Sequence, residues 1–292
     1  MTSSISDPAA ALPTWPDNPA DISHWPEIAR LWSQVGPPLR PAAEDLLPLI
    51  QGIAAWAGAN GPPRALILGV TPELYRLPWP TGTHLMAIDR TRGMIDAVWP
   101  GPREAVICAD WTAVPLPESS RDIVLCDGGV HLVAHPHGHL AFLSEMKRIV
   151  APGGLCVFRL FAPTSAREEP DQVLSDFLGG AIPNLNILKL RLGMAMQESA
   201  SEGVELGQVW RAIHHAARDF EQLAGRLGWP LEHLLAINSY RDSTARYHFL
   251  DPDTVCRLFC QAPGGFELVS FTTPTYLLGE RCPTIVLQRR NR

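Results

Sequence analysis

The sequence predicts an α/β protein: a mostly parallel, doubly wound sheet ending in an antiparallel strand pair, with an N-terminal helical extension and a helical cap insertion. Three observations carry this expectation. Five short apolar runs without polar alternation follow one another between residues 64 and 161, as strands covered on both faces do. Helical connectors lie between them. After about a hundred residues of helical pattern, two more apolar runs return with a link too short for a parallel crossover.

The first twenty or so residues are rich in Pro, Ser and Ala and predict an extended arm. Residues 22–35 and 42–57 carry apolar side chains at mixed three and four spacing and predict two helices, closed by the Gly-Ala-Asn-Gly-Pro-Pro breaker at 58–63. The strand runs are ALILGV (65–70), HLMAID (84–89), AVICAD (105–110), DIVLCD (122–127) and LCVFRLF (155–161). Connecting helices are expected at 72–77, 91–98 and 140–150, the last stopped by Ala-Pro-Gly-Gly before the fifth strand. Beyond Phe161 the pattern turns helical. In VWRAIHHAARDFEQLAGRLGWP the residues Ile213, Ala217, Phe220, Leu223, Ala224 and Leu227 form one stripe, closed by Gly228 and Pro230. The strand rhythm resumes with FELVSFTTPT from Phe266 and PTIVLQRR after Cys282, joined by TYLLGER. The expected division is therefore 1–62 as arm and helices, 63–162 with 249–292 as the sheet domain, and 163–248 as the cap.

With 292 residues, 46% hydrophobic and 18% charged, the chain has enough apolar material for one large core or for a core plus a smaller cap. A net charge of −6 without a run of Lys or Arg argues against a nucleic-acid partner, since phosphate-backbone affinity needs clustered cations. The N-terminus lacks a basic segment followed by an apolar one, and no apolar run reaches the roughly 18 to 20 residues of a bilayer crossing. A cytoplasmic protein without membrane association is expected, and its oligomeric state is not legible. The six cysteines contain no CxxC pair, and Cys108, Cys126 and Cys156 lie in apolar runs, so reduced core residues are expected rather than disulfides or metal ligands.

The chemistry concentrates where the strands end. Asp89 closes the second strand, twenty residues after Gly69, where a carboxylate can accept from both vicinal hydroxyls of a ribose. Asp110 closes the third and can accept from an adenine amino group, with Trp111 beside it as an apolar surface for the base. Asp127, followed by Gly128 and Gly129, closes the fourth, where bare backbone lets a ligand approach closely. One such Asp is more often a helix cap than a ligand. Three at successive strand ends point to one ligand lying across the carboxyl edge of the sheet.

The run from 64 to 161, together with the late strand pair, resembles the class I (Rossmann-like) S-adenosylmethionine-dependent methyltransferases. ADWTAVPLPESSRDIVLCDGGVHLV is similar to the family's third-strand acid, Leu-Pro turn and fourth strand, and EMKRIVAPGGLCVF to its helix, Pro-Gly-Gly turn and fifth strand. The resemblance implies S-adenosylmethionine as cofactor. It assigns the methionine part to Leu68, Gly69, Val70 and Thr71, the ribose to Asp89 and Arg90, and the adenine to Asp110 and Trp111. The first turn departs from the family: Leu-Gly-Val-Thr-Pro-Glu-Leu keeps one glycine where two or three are usual. Thr71 and the N-terminus of the helix begun at Pro72 are expected to compensate, with Glu73 meeting the cofactor's amino group. The thinned turn also suits a different class, a non-catalytic protein that keeps the fold and uses the groove for a regulatory ligand or a partner. A nicotinamide dehydrogenase shares the second-strand acid but needs a G-x-G-x-x-G turn that is absent here.

His131, His135, His137 and His139 are spaced through Pro136 and Gly138 without neighbouring acids or cysteines, which favours a loop over a metal site. His131, just past the fourth strand, is the candidate general base. In the cap, Asn184, Asn186, Lys189 and Arg191 precede the long helical stretch, and Tyr240, Arg241, Arg246, Tyr247 and His248 follow it. Such a set can close over a polar small molecule or form an ordinary helix surface; Tyr240 and Arg241 are the expected substrate contacts. The function expected is methyl transfer to a small-molecule acceptor by in-line displacement, with no metal.

Overall fold

The computed structural model describes residues 24–291, so the expected N-terminal arm and the start of the first helix at Ile22 lie outside the described residues. Helix α1 (Trp25–Arg30) is shorter than the spacing predicts and passes into a 3-10 turn at Trp32–Gln34. Helix α2 (Ala43–Asn60) begins where Asp45 accepts from the Ala42 N–H at 2.7 Å. It runs past Gly58 and stops at Gly61, whose φ of 85° a β-carbon would disfavour.

Seven strands form one sheet: β1 (Arg64–Leu68), β2 (His84–Asp89), β3 (Val106–Cys108), β4 (Arg121–Asp127), β5 (Val150–Arg159), β8 (Phe266–Thr272) and β9 (Thr284–Arg289). Their order is β3-β2-β1-β4-β5-β9-β8. β1 to β5 pair in parallel, whereas β9 is antiparallel to both β5 and β8. The expected class is confirmed, including the reversed strand at the end. Strand order turns back between β1 and β4, and an open parallel sheet leaves a crevice at the carboxyl ends beside that point.

Side chains alternate between two buried faces. Leu66, Leu68, Val124, Cys126 and Phe158 pack on Phe142 and Met146 of α5 (His137–Ile149) and on Val255 and Phe259 of α11 (Pro252–Cys260). Phe158, Phe259 and Phe266 meet edge to face, with ring centroids 5.5 and 5.4 Å apart. On the opposite face Ile67, Leu125 and Val157 cover Leu49 and Ile53 of α2. The short crossovers are α3 (Pro72–Tyr75) and α4 (Arg92–Val98), and Met94, Ile95 and Val98 of α4 pack on Ala29 of α1.

Several expectations change in detail. The Pro-Gly-Gly segment is not a separate stop: β5 starts at Val150 and runs through it, with a register shift opposite Arg121 and Ile123. Gly154 lies so close to the Asp122 carbonyl that a Cβ would sit 2.7 Å from it. Cys108 is exposed because β3 is an edge strand, while Cys126, Cys156 and Cys282 are buried thiols. β8, at the other edge, leaves Leu268, Val269 and Phe271 exposed.

Between β5 and β8 lie α6 (Pro170–Leu178), α7 (Leu185–Met196), α8 (Leu206–Ala216), α9 (Phe220–Leu227) and α10 (Leu231–Leu235), with a 3-10 turn at Ala236–Tyr240. They share a core that includes Phe177, Leu188, Ile213 and Leu234. The single long helix suggested by the apolar stripe is two. Asp219 ends the continuity by capping α9, its side chain accepting from the Gln222 N–H at 2.9 Å, and Gly228 closes α9 in the left-handed region. A small antiparallel ribbon, β6 (Val204–Glu205) with β7 (Arg246–Tyr247), was not legible as strand. No helix among the described residues is long and apolar enough to cross a membrane.

Candidate functional site

Parallel pairing aligns the strand ends. Leu68 stands beside Ile88 and Cys126, and Asp89 beside Cys108, so Gly69, Asp89, Asp110 and Asp127 all emerge at one rim. Gly69 adopts φ 93° and donates its N–H to the Ile88 carbonyl at 2.7 Å, which turns the chain sharply away from β1. Asp89 Oδ1 accepts from the Thr91 N–H at 2.7 Å, fixing the entry to α4. Asp110 Oδ1 accepts from the Thr112 N–H at 2.7 Å and from its hydroxyl at 2.6 Å. Each carboxylate is thus oriented through one oxygen by the residue two positions on.

Trp111 donates its indole N–H to the Ile88 carbonyl at 2.9 Å, which fixes the ring against the rim. A Cβ at Gly129 would meet that ring at 2.9 Å and the Cys126 sulfur at 2.5 Å, and a Cβ at Gly128 would lie 2.6 Å from Phe161. The two glycines are required by this packing. Asp127 itself is turned to structure: Arg159 Nε donates to it, while Asp45 lies 3.7 Å from the same guanidinium and accepts from the Tyr276 hydroxyl at 2.8 Å. Burial works against the Arg159 charge, but the adjacent Asp127 carboxylate more than offsets it and raises its pKa.

A cavity of about 490 Å³ opens on this rim, a volume ordinary for a small-molecule site. Leu68, Gly69, Val70, Thr71, Asp89, Arg90, Asp110, Trp111, Asp127, Gly128, His131 and Tyr240 all line it, as the sequence led us to expect of ligand contacts. Glu73 and Arg241 are not among its lining residues. Glu73 is drawn into an ion pair with Arg40, and Arg241 lies with its guanidinium 5.2 Å from the Trp210 ring centre. The structure thus gives each of these two charges a neighbour of its own, while Glu73 Oε2 is buried without a hydrogen-bond partner.

The roof comes from two places that strand patterning does not mark. His24, Trp25, Ile28 and Trp32 descend from the N-terminal segment, and Lys189, Tyr240 and Tyr247 from the insertion. His24 Nε2 lies 3.1 Å from the Tyr247 hydroxyl. Lys189 Nζ sits 4.6 Å from the centre of the Tyr240 ring. The sequence did hold a signal for Lys189: in LNILKLRLGMAM it stands among Leu185, Ile187, Leu188, Leu190 and Leu192, all of them buried, and unlike the nearby Arg191 it is buried with them.

Low-dielectric surroundings shift the titrating groups. Burial raises the Asp89 carboxyl to about 6, against the opposing Thr91 hydrogen bond and the Arg90 charge. Burial, with His139 and His248 nearby, lowers His131 to about 3, and its ring lies parallel to Phe249 at 5.1 Å. His24 falls to about 3 through burial and the charges of Arg90 and Lys189. His131 is therefore neutral at pH 7 but a feeble proton acceptor, which weakens the general-base expectation. His139 Nε2 lies 3.1 Å from the Val130 carbonyl, and among the described residues no group of three or more His, Cys, Asp or Glu could hold a metal ion.

Residues 68–158 match the family model of a methyltransferase domain. No curated protein matches the chain in sequence. Among solved structures it is similar to a Rhodobacter sphaeroides protein provisionally described as a zinc-dependent alcohol dehydrogenase (12% identity, 93% of this chain and 99% of that one, TM-score 0.57). That likeness concerns the fold alone. Weaker matches include the Burkholderia thailandensis 1,6-didemethyltoxoflavin-N1-methyltransferase with bound 1,6-didemethyltoxoflavin and S-adenosylhomocysteine (12% identity, 93% of this chain and 85% of that one, TM-score 0.49). Another is the Bradyrhizobium japonicum N-methyltransferase NodS in complex with S-adenosylhomocysteine (11% identity, 93% of this chain and 99% of that one, TM-score 0.49).

Proposed function

We propose, from the match of residues 68–158 to a methyltransferase-domain model and from the order of the sheet, that the chain transfers a methyl group from S-adenosylmethionine to a small-molecule acceptor. The observation that carries this reading is the pair Asp89 and Asp110, side by side at one rim and both facing a cavity that also borders Gly69 and Trp111. The residues fit an adenosyl group. Each carboxylate is held by its own turn, and in this reading Asp89 accepts from ribose hydroxyls and Asp110 from the adenine amino group. Because the Trp111 N–H is already satisfied, its face is what the ring has to offer a base. Bound there, the cofactor supplies an electrophilic methyl group for in-line displacement.

The chain's own contribution is placement and the exclusion of water. The rim residues hold one partner, and the roof of Trp25, Trp32, Lys189, Tyr240 and Tyr247 holds the other against it. A cavity closed from two sides favours a compact acceptor over a polymer. With His131 so weakly basic, the reading assigns it to shaping the wall through its contacts with Phe249 and Tyr247 rather than to proton removal. The test is a calorimetric titration with S-adenosylmethionine and S-adenosylhomocysteine, supported by melting curves. Saturable heat and a rise in Tm are expected; their absence would favour a regulatory or partner-binding use of the groove.

A further inference from the structure

Lys189 is only 9% exposed, lies on an apolar helix, and yet lines the cavity. No described carboxylate comes within ion-pair distance of it, and no hydrogen bond holds its ammonium. Its ammonium lies over the face of Tyr240, and its charge is felt by the neighbouring neutral His24. A buried cation costs free energy unless an opposite charge meets it, so a lysine retained in such a place calls for an anion supplied from outside the chain. Burial draws its pKa down to about 8, which still leaves the ammonium charged at neutral pH.

The position of Lys189 says which ligand brings that anion. A second cavity of about 230 Å³, bounded by Gln34, Asn184, Trp229 and Ser239, shares Ile28, Val35 and Lys189 with the main one. No residue of the sheet rim lines that second cavity. Lys189 therefore stands at the boundary of the main cavity that faces away from Asp89 and Asp110, on the side left for the acceptor. The surfaces around it are aromatic: Tyr240 under the ammonium, His24 and Tyr247 edge-on to Tyr240, and Trp25 against His24.

Building on the methyltransferase reading, we infer that the acceptor is a planar aromatic acid whose carboxylate is received by Lys189 and whose ring lies among Trp25, Tyr240 and Tyr247. The carboxylate completes the charge balance of the buried ammonium, and the aromatic wall matches a flat body better than a flexible chain. Lys189 acts here as a specificity-determining residue and takes no part in moving the methyl group.

The test uses matched probes on the full chain: benzoate, salicylate and 2-naphthoate against benzamide, salicylamide and 2-naphthamide, followed by saturation-transfer NMR and calorimetry with S-adenosylhomocysteine present. The acids are expected to bind at least about tenfold more tightly than their amides. Lys189→Met should erase that preference while S-adenosylhomocysteine affinity stays within about twofold, and Lys189→Arg should keep part of it. Equal or undetectable binding of acids and amides overturns the inference. So does a Lys189→Met protein that loses S-adenosylhomocysteine instead, since the anion met by Lys189 would then be the cofactor's own carboxylate. Should Lys189→Met fail to fold, the acid-to-amide ratio of the unaltered protein decides. A preference for acids without any response to S-adenosylhomocysteine would uphold this assignment and sink the cofactor reading alone.

Discussion

Arg159, at the end of β5, donates to Asp127, at the end of the neighbouring β4, and both side chains are at most 4% exposed. The same guanidinium donates to the Pro38 carbonyl at 2.9 Å and approaches Asp45 of α2, so one arginine ties the sheet rim to the N-terminal segment. The Asp127 carboxylate thus serves architecture at the cavity's edge, while among the described residues no ion pair joins Asp89 or Asp110 to a basic side chain.

Removing one member of such a cluster strands the others without counter-charge. Arg159→Met is expected to cost about 3–5 kcal/mol, read as a lowered urea midpoint at unchanged slope. Asp127→Asn combined with Arg159→Met should recover part of the loss. A single variant as stable as the parent would show that the cluster carries no such strain on removal.

Asp89→Asn is expected to weaken S-adenosylhomocysteine binding about tenfold, roughly the 1.4 kcal/mol of a charge-assisted hydrogen bond, without lowering Tm by more than a few degrees. Acid should do the same to the unaltered protein. Because the carboxyl titrates near 6, affinity should fall between pH 7 and pH 5, and Asp89→Asn should flatten that dependence. Its effect on folding has the opposite sign. The folded chain takes up a proton that the unfolded chain still releases, so this group favours folding as pH drops from about 6 toward its ordinary 3.8. Calorimetric titrations at several pH values check both variants.

Gly129→Ala places a methyl group against the Cys126 sulfur and the Trp111 ring. Since the indole N–H is tied to Ile88, the ring can yield only by giving up that bond. A loss of about 1–3 kcal/mol in stability is expected, together with a larger fall in S-adenosylhomocysteine affinity than the stability loss explains. Comparable effects from Gly225→Ala, where a Cβ meets nothing within 4 Å, would discredit the argument.

His24 and His131 are both held near 3, below their ordinary 6.5, so the unfolded chain binds protons that the folded chain refuses. Their contribution to stability is fully present above about 6.5 and is lost as pH falls toward 3, at up to roughly 1.4 kcal/mol per pH unit for each group. His131→Phe, which keeps a ring against Phe249, should reduce the slope of stability against pH between 6.5 and 4. Imidazole nitrogen shifts read by NMR should show His131 neutral down to pH 5. A mid-point near 6.5 would restore it as a candidate base.

Much of this was legible beforehand because it is local. Unalternating apolar runs such as ALILGV and DIVLCD mark strands buried on both faces, and an Asp at the end of each is a matter of position along the chain. The break at Asp219 was missed because the apolar stripe continues across it; a capping side chain interrupts the backbone without interrupting the periodicity. Glu73 and Arg241 do not line the cavity, for a different reason. A charge is available to a ligand only if no neighbour has taken it, and Arg40 lies 33 residues away in the chain from Glu73.

The sequence by itself determined the sheet, its reversed last strand and the row of acids along one edge, since periodicity and strand-end chemistry are properties of consecutive residues. Only the tertiary structure decided which of the cavity's acids is neutralised by an arginine and which cation is buried in the roof. Those outcomes depend on contacts between residues such as His24 and Tyr247, 223 positions apart, and no local pattern encodes which distant partners will meet or how much water they exclude.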